Sequence, residues 1–177
     1  MFGEVLTAMI TPFDDKNEVD YKRALELAQY LVDNGSDGIV LCGTTGESPT
    51  LSDEEKLLLF ATIKKGLKGK AAVIAGTGSN STSHSIELSM KAVETSVDGI
   101  MLITPYYNKP PQQGLIEHFS LIADAVPNTP IMLYNVPSRT GISLAAESVI
   151  ALAKKKENIV ALKEASGSLK DICQVIK

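Results

Sequence analysis

Hydrophobic residues fall into six short runs that are rich in β-branched side chains and contain few polar positions. The runs cover residues 5–10, 38–42, 71–75, 99–104, 131–134 and 159–162. A strand with one solvent-exposed face alternates apolar and polar residues, whereas a strand that is covered on both faces is apolar throughout. The runs therefore predict six buried strands of a parallel sheet.

Stretches with helical spacing separate the runs. Leu115, Phe119 and Ile122, for example, recur on one helical face in the fourth stretch. The runs begin about 30 residues apart, which is the length of one βα unit. A similar junction precedes the second and fourth runs: residues 36–38 read Ser-Asp-Gly, and residues 96–99 read Ser-Val-Asp-Gly. The pattern predicts alternating strands and helices.

Side chains that cap helices stand where this pattern requires a helix to begin. Asp20 precedes the first helical stretch, and Ser52 with Glu55 three residues later has the form of a capping box. Ser81, or Thr82 beside it, opens the third helix. Helix starts are thus predicted near residues 20, 52 and 81.

Polar clusters follow five of the six runs, at residues 43–47, 76–80, 106–108, 134–135 and 163–164. A closed barrel gathers all strand ends around one mouth, but an open sheet gathers only those near its switch point. We therefore expect an α/β fold of the (β/α)8 TIM-barrel type, with residues 1–177 forming the N-terminal part of a single domain. Six units are present, so two strands are missing and the chain is expected to be a fragment.

Lys163 ends the sixth run, and the period of two puts it on the side of Ala161 and Ile159. If that side is the barrel interior, partial desolvation lowers the pKa of the ammonium, as an amine needs before it attacks a carbonyl. A lysine that reaches to solvent at a strand end is the structural alternative.

Tyr134 ends the fifth run, and Arg139 lies in the turn-rich segment that follows it. A phenol near an amine can pass protons during imine chemistry, and a guanidinium can bind a carboxylate through two parallel hydrogen bonds. A core tyrosine and an ordinary solvated arginine are the alternatives.

Two glycine-containing segments resemble anion-binding loops to different degrees. Residues 43–47 place two threonines and exposed amides between glycines, although the segment lacks the lysine of a phosphate P-loop. Gly76 and Gly78 have no third glycine in register, so a turn is favoured over a dinucleotide site.

Composition and charge exclude several classes of function. The chain is 44% hydrophobic and 21% charged with a net charge of −4, which is typical of one globular domain and offers no basic stripe for nucleic acid or membrane. No apolar run reaches the roughly 18 residues of a membrane span and residues 1–13 lack the pattern of a signal peptide, so a cytoplasmic location is expected. Two cysteines and two histidines, His84 and His118, form no ligand spacing, so neither a disulfide framework nor a metal site is expected.

Four motifs together resemble the 4-hydroxy-tetrahydrodipicolinate synthase family, also called dihydrodipicolinate synthase. They are the segments 43–47 (GTTGE), 104–108 (TPYYN), 133–141 (LYNVPSRTG) and 163–167 (KEASG). The resemblance implies a (β/α)8 barrel with a C-terminal helical extension, usually a homotetramer of two tight dimers. It further implies condensation of pyruvate with L-aspartate 4-semialdehyde in lysine and diaminopimelate biosynthesis, without a cofactor.

The resemblance also implies roles for individual residues. Lys163 matches the lysine that forms a Schiff base with pyruvate. Tyr134, Thr44 and Tyr107 match a proton relay in which the tyrosine at 107 crosses the tight dimer interface. Thr45 matches the residue that binds the pyruvate carboxylate, and Arg139 the one that receives the carboxylate of the aldehyde.

Two alternatives remain at this point. N-acetylneuraminate lyase, a related class I aldolase, shares the lysine and the tyrosine but resembles the chain less at Tyr106, Tyr107 and Arg139. A catalytically incompetent fragment that keeps these residues only for packing is the second alternative.

Feedback by lysine is expected to be weak. In lysine-sensitive members, the resemblance implies an effector site with a carboxylate at position 84 and a histidine at position 56. Here His84 and Lys56 occupy those positions, although Asn80 and Tyr106 fit. A lost charge-assisted hydrogen bond costs roughly 1.5–3 kcal/mol, which weakens the binding of an ammonium ligand.

Overall fold

The structure is a computed structural model that describes residues 2–176. Its strands are β1 (Leu6–Ala8), β2 (Gly38–Leu41), β3 (Ala72–Gly76), β4 (Gly99–Ile103), β5 (Ile131–Asn135) and β6 (Ile159–Glu164). Its α-helices are α1 (Tyr21–Asp33), α2 (Asp53–Leu67), α3 (Thr82–Glu94), α4 (Gln112–Ala125), α5 (Pro137–Thr140), α6 (Ala146–Lys155) and α7 (Leu169–Ile176). The strand order is the chain order, β1-β2-β3-β4-β5-β6. The six predicted strands are confirmed, with small differences at their ends.

Helix starts agree with the capping signals in the sequence. Asp20 caps α1 through its side chain. Ser52 and Glu55 form a complete capping box before α2, since each side chain accepts a hydrogen bond from the other residue's backbone N–H, at 3.2 and 2.7 Å. The Ser81 hydroxyl accepts from the His84 N–H at 3.3 Å, so Ser81 rather than Thr82 is the capping residue of α3.

Residues up to 76, together with 91–100, form one compact unit. In it β1 pairs with β2 and β2 with β3, all in parallel, and Gly38 lies opposite both Leu6 and Ala72. Every residue of β2 is buried, whereas β1 is half-buried along its length. The expectation that both faces of each strand are covered is thus met by β2 and not by β1.

The repeated αβ junction has a structural reason in this unit. The Asp37 carboxylate accepts hydrogen bonds from the N–H groups of Glu4 and Val5, at 2.8 and 2.9 Å. Asp98 does the same for the N–H of Val73, at 2.8 Å. Each aspartate therefore fixes the start of the preceding strand, and the two N–H groups hold the pKa of Asp37 below its ordinary value.

Residues 77–90 and the chain from 101 onward form the second compact unit. All of β5 is buried, whereas β6 is half-buried after its first residue. The two strands are parallel, but their register shifts, because Ile131 lies opposite Ile159 and Met132 opposite Ala161. Val160 is therefore an extra residue in β6, and the alternation that places Lys163 on one side holds only from Ala161 onward.

No helix in residues 2–176 is both long and apolar enough to cross a membrane.

Candidate active site

Lys163 and Tyr134 lie opposite each other on β6 and β5. The Lys163 ammonium sits over the Tyr134 ring, 4.5 Å from its centroid, in the geometry of a cation–π contact. Tyr134 is buried, and Lys163 is half-buried. Desolvation lowers the pKa of the Lys163 ammonium, which is the direction expected from its position at the strand end.

Thr104 fixes the backbone of Tyr134 from the neighbouring segment. Its N–H and its hydroxyl both donate to the Tyr134 carbonyl oxygen, at 2.9 and 3.0 Å, and the Thr104 side chain is fully buried. No role of its own was predicted for Thr104. Its position as the last residue of an apolar run was the available signal, because a hydroxyl there is buried and must find an acceptor.

Asn135 and Glu164 follow Tyr134 and Lys163 and form a second pair across the same two strands. The Asn135 amide donates to the Glu164 carboxylate at 2.9 Å. Asn135 is 1% exposed and Glu164 is half-buried, so this hydrogen bond is partly shielded from water. Both residues were identified in the sequence as polar residues at strand ends, but the hydrogen bond between them was not predicted.

Tyr107 and Arg139 stand on the segments that follow β4 and β5. Tyr107 is 89% exposed, and its φ of 72° is a left-handed conformation that is rare for a bulky side chain. Arg139 lies on the short helix α5 and is also exposed. Neither side chain is used to build the core of this unit.

Thr44 and Thr45 belong to the first unit, on the turn that follows β2. Thr45 is exposed and Thr44 is half-buried. The buried Thr11 hydroxyl donates to the Gly46 carbonyl oxygen at 2.7 Å and holds this turn in place. A Cβ at Gly46 would lie 3.1 Å from the Met9 carbonyl oxygen, so glycine allows the close approach. Thr11 was missed by the sequence analysis.

Gly76 and Gly78 pack closely against neighbouring backbone, each within its own unit. A Cβ at Gly76 would lie 2.3 Å from the Cys42 carbonyl oxygen, and one at Gly78 would lie 2.5 Å from the Ile103 nitrogen. Both glycines are thus required by neighbouring backbone. Gly76 is the last residue of β3 and Gly78 lies in the irregular segment after it, whereas a turn was favoured from the sequence.

His118 is a buried core histidine. Its Nδ1 lies 2.8 Å from the Thr82 hydroxyl, and burial lowers its pKa to about 4. His84 is half-buried at the start of α3, with Nδ1 3.3 Å from the Ser79 hydroxyl. Among residues 2–176, no three His, Cys, Asp or Glu side chains are grouped so that they could hold a metal ion.

Comparison with known proteins identifies the family to which the chain belongs. The model of the dihydrodipicolinate synthetase family matches residues 1–177. The chain belongs to this family. It is 60% identical over 168 residues to the 4-hydroxy-tetrahydrodipicolinate synthase of Thermosynechococcus vestitus, covering 95% of the chain and 56% of that protein. It is 56% identical over 175 residues to the synthase of Bacillus subtilis, covering 99% of the chain and 60% of that protein.

Solved structures of the dihydrodipicolinate synthetase family confirm the predicted fold class. The enzyme from Cyanidioschyzon merolae, solved with lysine bound, matches with a TM-score of 0.97 and 51% identity, over 99% of this chain and 59% of that one. The enzyme from Acinetobacter baumannii, solved with pyruvate, matches with a TM-score of 0.95 and 39% identity, over 99% of this chain and 60% of that one. The six βα units are those of the N-terminal part of the family's TIM barrel, and the chain spans less than two thirds of these relatives.

Proposed function

We propose that the full-length protein containing this chain condenses pyruvate with L-aspartate 4-semialdehyde to 4-hydroxy-tetrahydrodipicolinate, a step of lysine and diaminopimelate biosynthesis. Residues 1–177 are then the N-terminal part of one barrel domain. The relatives' names support the synthase over N-acetylneuraminate lyase. Such a biosynthetic enzyme would work in the cytoplasm.

The observation that carries the proposal is the half-buried Lys163 amine above the Tyr134 ring. An ordinary lysine has a pKa near 10.4, so about one molecule in a thousand carries a neutral amine at physiological pH. Because desolvation lowers the pKa of Lys163, more of its amine is neutral and able to attack a carbonyl carbon.

The first half of the reaction forms an imine. The neutral amine of Lys163 attacks the keto carbon of pyruvate, and the resulting carbinolamine loses water to give a protonated imine. Tyr134, with Thr44 and Tyr107, moves the protons that this step requires. The imine nitrogen withdraws electrons and acidifies the methyl group of the former pyruvate.

The second half forms the carbon–carbon bond. Loss of a methyl proton gives an enamine, whose carbon attacks the aldehyde carbon, and the new alkoxide takes a proton. The amino group of the aldehyde substrate then attacks the imine carbon, which closes the ring and releases Lys163. Side chains alone supply these steps, so the proposal includes no cofactor.

Two further residues bind the carboxylates of the substrates in this proposal. Thr45 offers its hydroxyl to pyruvate, and its exposed position on the turn after β2 leaves that hydroxyl accessible. Arg139, exposed on α5, offers a guanidinium to the aldehyde substrate.

The proposed enzyme is a homo-oligomer in which Tyr107 serves the site of a neighbouring subunit. Its 89% exposure and left-handed backbone support this role, because a large aromatic side chain held outward at a conformational cost contributes little to its own core. A tight dimer, and a dimer of dimers, are the expected assemblies.

Trapping with borohydride tests the proposal. Pyruvate and borohydride should add a reduced pyruvate unit to Lys163 of the full-length protein, located by peptide mapping and mass spectrometry. Lys163→Ala should abolish the adduct, whereas Lys154→Ala, which removes an exposed amine on α6, should leave it. An adduct on a different lysine, or one that survives Lys163→Ala, contradicts the assignment.

A further inference from the structure

A polar pair links the carboxyl ends of β5 and β6 immediately beyond Tyr134 and Lys163. Asn135 lies opposite Glu164 in the same register that places Tyr134 opposite Lys163. Asn135 Nδ2 donates to Glu164 Oε2 over 2.9 Å, and the Ala165 N–H donates to the Asn135 carbonyl oxygen over 2.9 Å. These bonds close the two strands one residue beyond the reactive amine.

The other polar atoms of the pair also have partners. Asn135 Oδ1 accepts from the Leu144 N–H at 2.9 Å, and Glu164 Oε1 accepts from the Ser166 N–H at 2.7 Å. Asn135 Nδ2 also lies 3.4 Å from the Ser143 hydroxyl. The pair therefore joins both strand ends to the segment that follows α5, the helix that carries Arg139.

We propose that Asn135 and Glu164 form a positioning pair that fixes Lys163 over the Tyr134 ring and anchors the segment after Arg139. This inference rests on the proposed function, in which Lys163 is the nucleophile. The amine stays partly desolvated only while the end of β6 is held against β5. When the pair is broken, Lys163 gains access to water, and its pKa rises toward the ordinary value.

The chemistry of the pair makes Glu164→Gln a decisive variant. A glutamine at 164 has one acceptor oxygen and one amide nitrogen, so it cannot accept from both Asn135 Nδ2 and Ser166 N. Rotating the Asn135 amide only moves the mismatch to the Leu144 N–H. Since the substitution removes a negative charge near Lys163, charge alone would lower the pKa of Lys163. The positioning role predicts instead that the pKa of Lys163 rises.

The double variant Asn135→Asp with Glu164→Gln restores the pair with donor and acceptor exchanged. The amide nitrogen at 164 then donates to the carboxylate at 135, while the contacts with Leu144 and Ser166 keep their polarity. The net charge equals that of the unaltered protein. Restoration by the double variant is the signature of a direct pair, which general destabilisation does not produce.

Gln112→Glu is the matched control, because it makes the same amide-to-carboxylate change against the same segment without touching β6. Gln112 accepts from Ala145 N and the Ser148 hydroxyl, at 3.0 and 2.7 Å, and donates to the Ser143 carbonyl oxygen at 2.8 Å. A glutamate there keeps the acceptor and loses the donor. The change that Gln112→Glu causes in the pKa of Lys163 therefore measures the effect of loosening only the segment that follows α5.

The pKa of Lys163 is measured in the full-length protein by reductive methylation with formaldehyde and cyanoborohydride at a series of pH values, followed by peptide mapping. We expect Glu164→Gln and Asn135→Asp each to raise this pKa by about one unit, which leaves about tenfold less neutral amine near pH 7. Pyruvate trapping at pH 7 should slow by a similar factor and recover at higher pH. The double variant and Gln112→Glu should stay within about twofold of the unaltered protein.

The outcomes separate the positioning pair from the proposed function. An unchanged or lowered pKa in folded Glu164→Gln overturns the pair, as does a folded double variant that still shows the raised pKa. If the single variants do not fold, the double variant decides. Absence of pyruvate trapping in the unaltered protein, together with raised methylation pKa values in the single variants, overturns the proposed function and leaves the pair.

Discussion

His118 is expected to make the stability of the fold depend on pH below neutrality. The imidazole on α4 is 5% exposed, with its Nε2 among the buried side-chain atoms that have no hydrogen-bond partner in the described residues. Burial lowers its pKa to about 4 from an ordinary value of 6.5. The perturbation is acidification of the protein from pH 7 to pH 5, compared with the same acidification of a variant that lacks the imidazole.

The direction and size of the change in folding stability follow from these two pKa values. Between pH 6.5 and 4 the unfolded chain binds a proton at His118 that the folded chain does not, so stability falls as pH falls and levels off below about pH 4. The full difference corresponds to about 3 kcal/mol, because one pKa unit is worth about 1.36 kcal/mol. Between pH 7 and 5 the expected loss is about 2 kcal/mol.

Urea unfolding at pH 7, 6 and 5 measures this loss. His118→Asn should remove it, although the variant is less stable at pH 7 because it leaves a cavity. Thr82→Val is the matched control, since it breaks the hydrogen bond to Nδ1 but keeps the buried imidazole, so the pH dependence should persist. Titration of the His118 ring near pH 6.5 by nuclear magnetic resonance, or equal pH dependence in His118→Asn, would refute the reasoning.

Three further predictions concern the proposed enzyme. Arg139→Ala should weaken use of the aldehyde by about 10 to 150-fold with little change in pyruvate trapping, as steady-state rates and borohydride trapping would show; an equal loss of trapping would indicate a structural role. Coexpressed Tyr107→Phe and Lys163→Ala chains should regain activity in mixed dimers, since one site keeps both groups; mixed dimers confirmed by mass but inactive would argue against a shared site. Lysine should not inhibit at submillimolar concentration, because the family resemblance implies that His84 occupies the position of a carboxylate that binds the ligand's ammonium; an inhibition curve with a submillimolar midpoint would show the opposite.

The fold was largely predictable because its signals are local. Six apolar runs and the capping side chains of Asp20, Ser52 and Ser81 depend only on neighbours in the sequence, and the structure places strands and helices accordingly. The expected burial of every strand was wrong for β1 and for most of β6, which are half-buried. These two strands stand at the ends of the strand order, so each has one neighbour instead of two.

Residues that act through distant contacts were less accessible to sequence reasoning. Thr11 holds the turn at Gly46 across 35 positions of the chain. Nothing near Thr11 in the sequence distinguishes it from other threonines, because its role depends on how β1 lies beside β2. The roles of Thr45, Tyr107 and Arg139 came from the family resemblance, since an exposed polar side chain has no local signature of the ligand that it binds.

The pairing of Lys163 with Tyr134 depends on a feature that the sequence pattern does not contain. Counting along both strands from the pair Ile131 and Ile159 would place Lys163 opposite Asn135. The extra residue in β6, Val160, shifts the register by one, so that Lys163 faces Tyr134 instead. Because a shift of one residue exchanges the side on which every later side chain lies, this bulge decides whether the amine faces a phenol or an amide. The chemistry proposed for Lys163 therefore depends on the bulge as much as on the identity of the lysine.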